Sequence, residues 1–396
     1  MSRQTLQHWI LLASAVLLAF STTRAGQSIV DIGRGSIVVE LPSSYDPNRS
    51  YPLVLNLHGY SLTGQEQENY FVLVPWAESR EFIYAYPQGL DDFLGSPFWN
   101  GTDACCDLFG NGVDDSTYLV NLVDEIRDQF PIDPWRVHFV GWSNGGFMSY
   151  RMACDHADTV ASLASLAGAT FLDPLDCQPE AAVHVLQIHG TSDATILYGG
   201  GATTSGSYPS ATQTIATWAD YNGCDAAPVS GGTPRDIDAG TPGAETTETL
   251  HEGCAIGGSA RLWTIPGGPH GPTLAQGFRD GVVDFLLGHR RAALRFEDPQ
   301  TLRWAPIRWA QEYRVYRGEL SDLLDGDADG VADAGYGDCA SGDDTVTTDT
   351  VLLTTENPAV GEGFFYLVGF VNSEMAESIL GTLPGGRRRT PSTPCP

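Results

Sequence analysis

The sequence predicts an α/β fold, a mostly parallel sheet with helices on both faces, followed by a small all-β sandwich. Two observations carry this. From about Ser28 to His289, short apolar strand-like runs alternate with amphipathic helix-like runs, the order that builds a parallel sheet covered on both sides. After Arg291 short strand-like runs continue, separated by Gly, Asp and Pro, with no helical pattern between them. The length agrees, because 396 residues exceed what one core usually supports.

The elements follow in chain order. Arg3, an apolar run from Trp9 to Phe20 and the small residues around Thr23-Arg24-Ala25 predict a secretory signal peptide over 1–25, too short to anchor the mature chain. Pro52 to Leu57 predicts a buried strand ending in His58-Gly59, and Phe82 to Tyr86 another ending in Pro87. Tyr118, Leu119, Leu122, Val123, Ile126 and Phe130 recur at helical spacing, so one face of that segment is buried. Asp114 and Asp115 stand ahead of it as caps for its free N–H groups. Arg136 to Val140 reads as a buried strand, Gly145 to Cys154 as the next helix, and Val183 to Ile188 and Leu262 to Ile265 as later strands. Beyond the boundary, expected near 289–293, Leu294 to Phe296, Leu302 to Trp304, Tyr313 to Tyr316, Val351 to Thr354 and Phe364 to Val371 supply the sandwich. The expected organisation is therefore 1–25, 26–290 and 291–396.

Composition bounds the partners. Hydrophobic residues at 42% and charged residues at 18% describe a globular chain rather than a disordered one. A net charge of −28, with every cation an arginine, repels nucleic acid and anionic membranes, so neither is expected as a partner. The chain is expected to be an extracellular or periplasmic monomer. Its 8 cysteines suit an oxidising compartment, and none has the CxxC spacing of a zinc site. Cys224 with Cys254 closes a local loop, and Cys339 with Cys395 would close the C-terminal region. The pairing of Cys105, Cys106, Cys154 and Cys177 stays open, though the neighbours 105 and 106 are expected to reach different partners because a bond between them strains the peptide.

The chemistry lies in three segments. Gly141-Trp142-Ser143-Asn144-Gly145 follows a strand and precedes a helix, the context a G-x-S-x-G nucleophile elbow requires. Small flanking residues let strand and helix approach, and the helix start aims N–H groups at developing negative charge. A serine needs a base held by a carboxylate. Asp193, in His189-Gly190-Thr191-Ser192-Asp193, follows one strand, and His270, in Gly267-Gly268-Pro269-His270-Gly271, follows the last. Loops at the carboxyl ends of strands are where catalytic groups gather in such sheets. The competitors His251 and His289 precede the last strand and end a helix. Backbone N–H groups of Tyr60 and Asn144 are the expected oxyanion donors. His58 is expected to be structural.

Leu57-His58-Gly59, Tyr86-Pro87-Gln88-Gly89, Cys105-Cys106, Val113-Asp114-Asp115, Gly141-Trp142-Ser143-Asn144-Gly145-Gly146 and His189-Gly190-Thr191-Ser192-Asp193 resemble the polyhydroxybutyrate depolymerase and feruloyl esterase family of α/β-hydrolases, over about 36–289. The resemblance implies cleavage of carboxylic esters, in a polyester or in acyl groups on polysaccharide, without metal or organic cofactor. Two features depart from it: Gly271-Pro272 follows His270 where the family often has tryptophan, and Trp142 replaces the more usual small or apolar residue beside the serine. Tyr60 with Trp142 resembles aromatic-polyester hydrolases and cutinases, so an aromatic platform for substrate is expected there, beside a core-packing role for Trp142. A peptidase, an acyltransferase and a non-catalytic binding protein on this scaffold are the alternatives.

The C-terminal segment resembles a fibronectin type III-like module. Within it Asp325, Asp327, Asp329 and Asp333 alternate as calcium ligands do, similar to thrombospondin type 3 and dockerin-like loops, though Tyr336 stands where an EF-hand has glutamate.

Overall fold

The computed structural model describes residues 26–291 in full and, beyond them, the backbone of short strands between 294 and 371. The expected signal peptide, the four calcium-ligand aspartates and the Cys339–Cys395 pairing lie outside the described residues.

Ten strands form the main sheet: β1 (Gln27–Val30), β2 (Ile37–Glu40), β3 (Tyr51–Leu57), β4 (Ile83–Ala85), β5 (Ile132–Trp142), β6 (Ser162–Leu166), β7 (His184–Gly190), β8 (Val229–Ser230), β9 (Thr247–His251) and β10 (Ser259–Ile265). Their order across the sheet is β1-β2-β4-β3-β5-β6-β7-β10-β9-β8. The six central strands, β4 through β10 in that order, run parallel. Antiparallel strands finish both edges. This is the α/β-hydrolase sheet.

Six helices cover it: α1 (Gly64–Phe71), α2 (Val74–Arg80), α3 (Asp115–Gln129), α4 (Asn144–Asp155), α5 (Ala211–Tyr221) and α6 (Gln276–Gly288). Alternation along each strand decides which helices pack where. Leu53, Leu55 and Leu57 of β3 face one core with Leu119, Leu122 and Ile126 of α3, Met148 and Met152 of α4 and Trp218 of α5. Val54, between them, faces the other core with Phe71, Ala77 and the Phe278, Val282 and Leu286 face of α6. Each large side chain buried this way stabilises the fold by about 1.5–3 kcal/mol.

Asp114 caps α3 by accepting from the Thr117 N–H at 2.9 Å. Asp115 is not a cap. It is the first helical residue, buried and ion-paired with Arg34. Beyond 291, Leu294–Asp298, Thr301–Trp304 and Val351–Leu353 pair antiparallel as one sheet. Glu312–Glu319 pairs antiparallel with Asp338–Cys339, Val346–Thr347 and Phe364–Val371 as another.

The disulfides correct one expectation. Cys154, near the end of α4, pairs with Cys177 across a Cα separation of 5.5 Å. Cys224 pairs with Cys254, as expected. With those four paired to one another, Cys105 and Cys106 do not reach different partners. They bond to each other across a cis peptide that brings their Cα atoms to 3.0 Å.

Candidate active site

β5 ends at Trp142 and α4 begins at Asn144, leaving Ser143 alone in the turn with φ 54° and ψ −117°. A side chain at positive φ costs about 1–3 kcal/mol and persists only where its surroundings hold it. Here the Ser143 N–H donates to the Leu166 carbonyl of β6 at 2.8 Å, and its carbonyl accepts from Phe147 at 3.0 Å. Glycine is obligatory nearby. A Cβ on Gly145 would lie 2.0 Å from the Leu57 carbonyl oxygen, and one on Gly141 would lie 2.3 Å from Gly145. The turn is closed tightly enough to bring α4 against the end of β3.

The last parallel strand, β10, delivers His270 on the loop that follows it. Its Nε2 lies 2.9 Å from Ser143 Oγ and its Nδ1 lies 2.8 Å from Asp193 Oδ2. Asp193 comes from the loop after β7, where Oδ1 accepts from the Thr195 and Ile196 N–H groups at 2.8 and 2.9 Å. The two loops are cross-linked: Ser192 N–H donates to the Gly268 carbonyl, and Gly267 N–H donates to Thr191 Oγ1 at 2.7 Å. Burial pushes the Asp193 carboxyl up, but hydrogen bonds from His189 and His270 outweigh it and hold the group well below the usual carboxylate range. It is therefore a carboxylate wherever the imidazole is neutral.

Of the expected oxyanion donors, Asn144 opens α4 directly after Ser143, and Tyr60 lies on the loop after β3. Among the described residues neither the Tyr60 nor the Asn144 backbone N–H has a hydrogen-bond acceptor. The Asn144 side chain bridges both polar groups of the Trp99 backbone at 2.8 Å, fixing the start of α4. His58 is buried behind the loop. Its Nδ1 donates to the Gly59 carbonyl and its Nε2 accepts from Gly89 N–H, each at 2.9 Å. Burial holds it down at about 4, so it is a neutral strut.

Trp142 is half-buried. Its indole N–H donates to the His270 carbonyl at 2.8 Å, and its ring packs against Gly59 and Tyr70. The Tyr70 hydroxyl donates to the Pro272 carbonyl at 2.9 Å, holding the same loop. Trp142 thus has a supporting contact beyond the platform and packing roles expected for it. The Tyr60 phenol donates to Asp92. Its ring packs on a small buried cluster that includes Phe147, Ala169, Ile196, Tyr208 and the Cys105–Cys106 disulfide.

The competing histidines lie elsewhere. His251 is on β9 with Nδ1 on the Asp225 carbonyl, and His289 caps α6 through the Phe285 carbonyl. Tyr70 and a second residue in contact with the site had no role assigned from sequence. His189, at the end of β7, places its Nε2 3.2 Å from Asp193 Oδ2. Its only sequence signal was its place in the His189-to-Asp193 stretch.

No family model matches the chain. It is 27% identical over 259 residues to feruloyl esterase B of Piromyces equi, covering 63% of this chain and 45% of that one. It is 27% identical over 266 residues to feruloyl esterase D of Neurospora crassa, covering 64% and 80%. With poly(3-hydroxyalkanoate) depolymerase C of Paucimonas lemoignei it shares 27% over 185 residues, covering 43% and 42%. The chain thus spans less than half the length of two of these relatives. The sheet has α/β-hydrolase architecture, and the curated relatives that the chain resembles are named as esterases and a depolymerase.

Proposed function

We propose that the chain is a secreted serine esterase in which Ser143 is the nucleophile, His270 the general base and acid, and Asp193 the group that orients the imidazole. The observation that carries the reading is the unbroken hydrogen-bond line from Asp193 through His270 to a serine held at positive φ. His270 takes the serine proton as the hydroxyl attacks the ester carbonyl. The Tyr60 and Asn144 N–H groups receive the oxyanion, each donor worth about 3 kcal/mol. The alcohol leaves with the proton from His270, and water then releases the acid by the reverse proton path.

The acyl groups named in the relatives, feruloyl and hydroxyalkanoyl, support a substrate in a polyester or on a polysaccharide. Three described disulfides and the apolar segment 9–20 support secretion. The antiparallel strands after 291 support a separate C-terminal module.

Ser143→Ala tests the mechanism: hydrolysis of p-nitrophenyl acetate falls by about 10⁵–10⁶-fold in kcat. Near-normal turnover by that variant removes the assignment. Polyhydroxybutyrate film, methyl ferulate, acetylated xylan and an aromatic polyester, compared at equal enzyme, identify the acyl group.

A further inference from the structure

Asp193 receives a second imidazole that the proposed mechanism does not use. His189 is buried at the end of β7, with the Tyr198 ring edge-on against it. Its Nε2 lies 2.8 Å from the Ile196 carbonyl and 3.2 Å from Asp193 Oδ2.

Neighbouring side chains settle which ring nitrogen carries the proton. The Tyr150 hydroxyl donates to Gln187 Oε1 at 2.8 Å, and Gln187 Nε2 donates to the Gly168 carbonyl at 2.8 Å, so the amide has one orientation. The other N–H of that amide meets His189 Nδ1 at 3.1 Å. Nδ1 therefore accepts, and the His189 proton is on Nε2, shared between the Ile196 carbonyl and the Asp193 carboxylate.

A closed clamp results. His189 holds the Ile196 carbonyl while the Ile196 N–H holds Asp193 Oδ1. Oδ2 takes N–H groups from His270 and His189. We infer that His189 is a positioning residue of this esterase: as a neutral Nε2–H donor it fixes the Asp193 carboxylate and keeps part of its accepting capacity from His270. The inference rests on the proposed triad. Removing the donor leaves His270 as the only side chain on Oδ2. The bond between them then tightens, and the imidazolium becomes easier to form.

The test uses the full-length protein with p-nitrophenyl acetate and four variants. His189→Leu keeps the ring's volume without a donor. His189→Gln places an amide N–H where Nε2 was, and His189→Asn places it where Nδ1 was. Ser143→Ala reports on the triad itself.

For His189→Leu, kcat falls about 10- to 100-fold, the worth of a hydrogen bond to a charged group. KM and the burst stoichiometry stay unchanged, and the acid limb of kcat/KM moves up by about half a pH unit. His189→Gln recovers most of kcat and the original limb, and His189→Asn does not. Should the Leu variant not fold, the Gln and Asn pair decides. Wild-type kcat and limb in His189→Leu overturn the inference. So do equal losses in Gln and Asn with an unshifted limb, the mark of a structural role only. An active Ser143→Ala removes the triad reading instead, a different result from either.

Discussion

Gly145→Ala puts one methyl group where the site has no room. The new Cβ would lie 2.0 Å from the Leu57 carbonyl oxygen and 2.8 Å from that of His58. Ordinary contact needs about 3.5 Å, so α4 and the end of β3 must part by more than about 1 Å. Neither side is a flexible tip: Leu57 pairs with Gly141 in the sheet, and Gly145 is in the first turn of α4. The two elements that separate carry the two expected oxyanion donors, Tyr60 and Asn144. Losing one such donor lowers kcat by about 10²–10³-fold, and the variant is expected at or beyond that range. Overpacking of a closed interior costs about 1–3 kcal/mol, a drop in Tm of roughly 2–12 °C. Gly199→Ala is the control, because a Cβ there meets nothing within 4 Å. The measurements are kcat on p-nitrophenyl acetate and thermal melting for both variants. If Gly145→Ala matches the control in kcat and Tm, the elbow is not closed against β3, and the oxyanion geometry built on that closure is wrong.

Three further outcomes are expected. Trp142→Phe removes the N–H bond to the His270 carbonyl and lowers kcat about tenfold at unchanged KM; a raised KM at unchanged kcat would assign the indole to substrate instead. His58 is held near 4 in the folded protein against about 6.5 unfolded, so its contribution to stability is complete above pH 6.5 and is lost as pH falls through 4. Melting between pH 7.5 and 4.5 is therefore steeper for the wild type than for His58→Gln, by up to about 3 kcal/mol at the acid end, and equal slopes would remove this account. Cys224→Ser opens a disulfide spanning 30 residues and costs about 3–4 kcal/mol in chemical denaturation; an unchanged midpoint would show that the pairing adds nothing.

What could be read from the sequence followed from short-range constraints. The apolar spacing in α3, the run in β3 and the glycine-flanked serine each declare themselves within a few residues. So did Asp193 and His270, whose loops follow recognisable strands. Helices α1 and α5 escaped notice, although each carries a readable start. Thr63 with Glu66 and Ser210 with Gln213 form reciprocal capping boxes. The spacing in α1 is hard to read because its buried face includes Gln67 and Glu68, which find partners in Asn56 and Tyr84. The Cys105–Cys106 bond was misjudged from local strain alone. What decides it is that Cys154 and Cys177 meet each other, a contact between α4 and a distant loop. The His189 clamp was out of reach for a similar reason: it exists only because the chain turns back to bring Ile196 over the acid.

Trp142 ties the two halves of the site together. Its ring packs on Gly59, next to the proposed oxyanion donor at Tyr60, while its N–H holds the carbonyl of His270. The proposed base and one proposed oxyanion donor come from loops after different strands, and tolerance for misplacing either is well under 1 Å. A small residue beside the serine would leave those loops to be positioned separately. An indole touching both makes their spacing a property of one rigid ring, itself fixed by the end of β5. Tyr70 adds a second hold on the base loop through Pro272. Aromatic support for the His270 loop therefore comes from Trp142, beside Ser143, and from Tyr70 on α1.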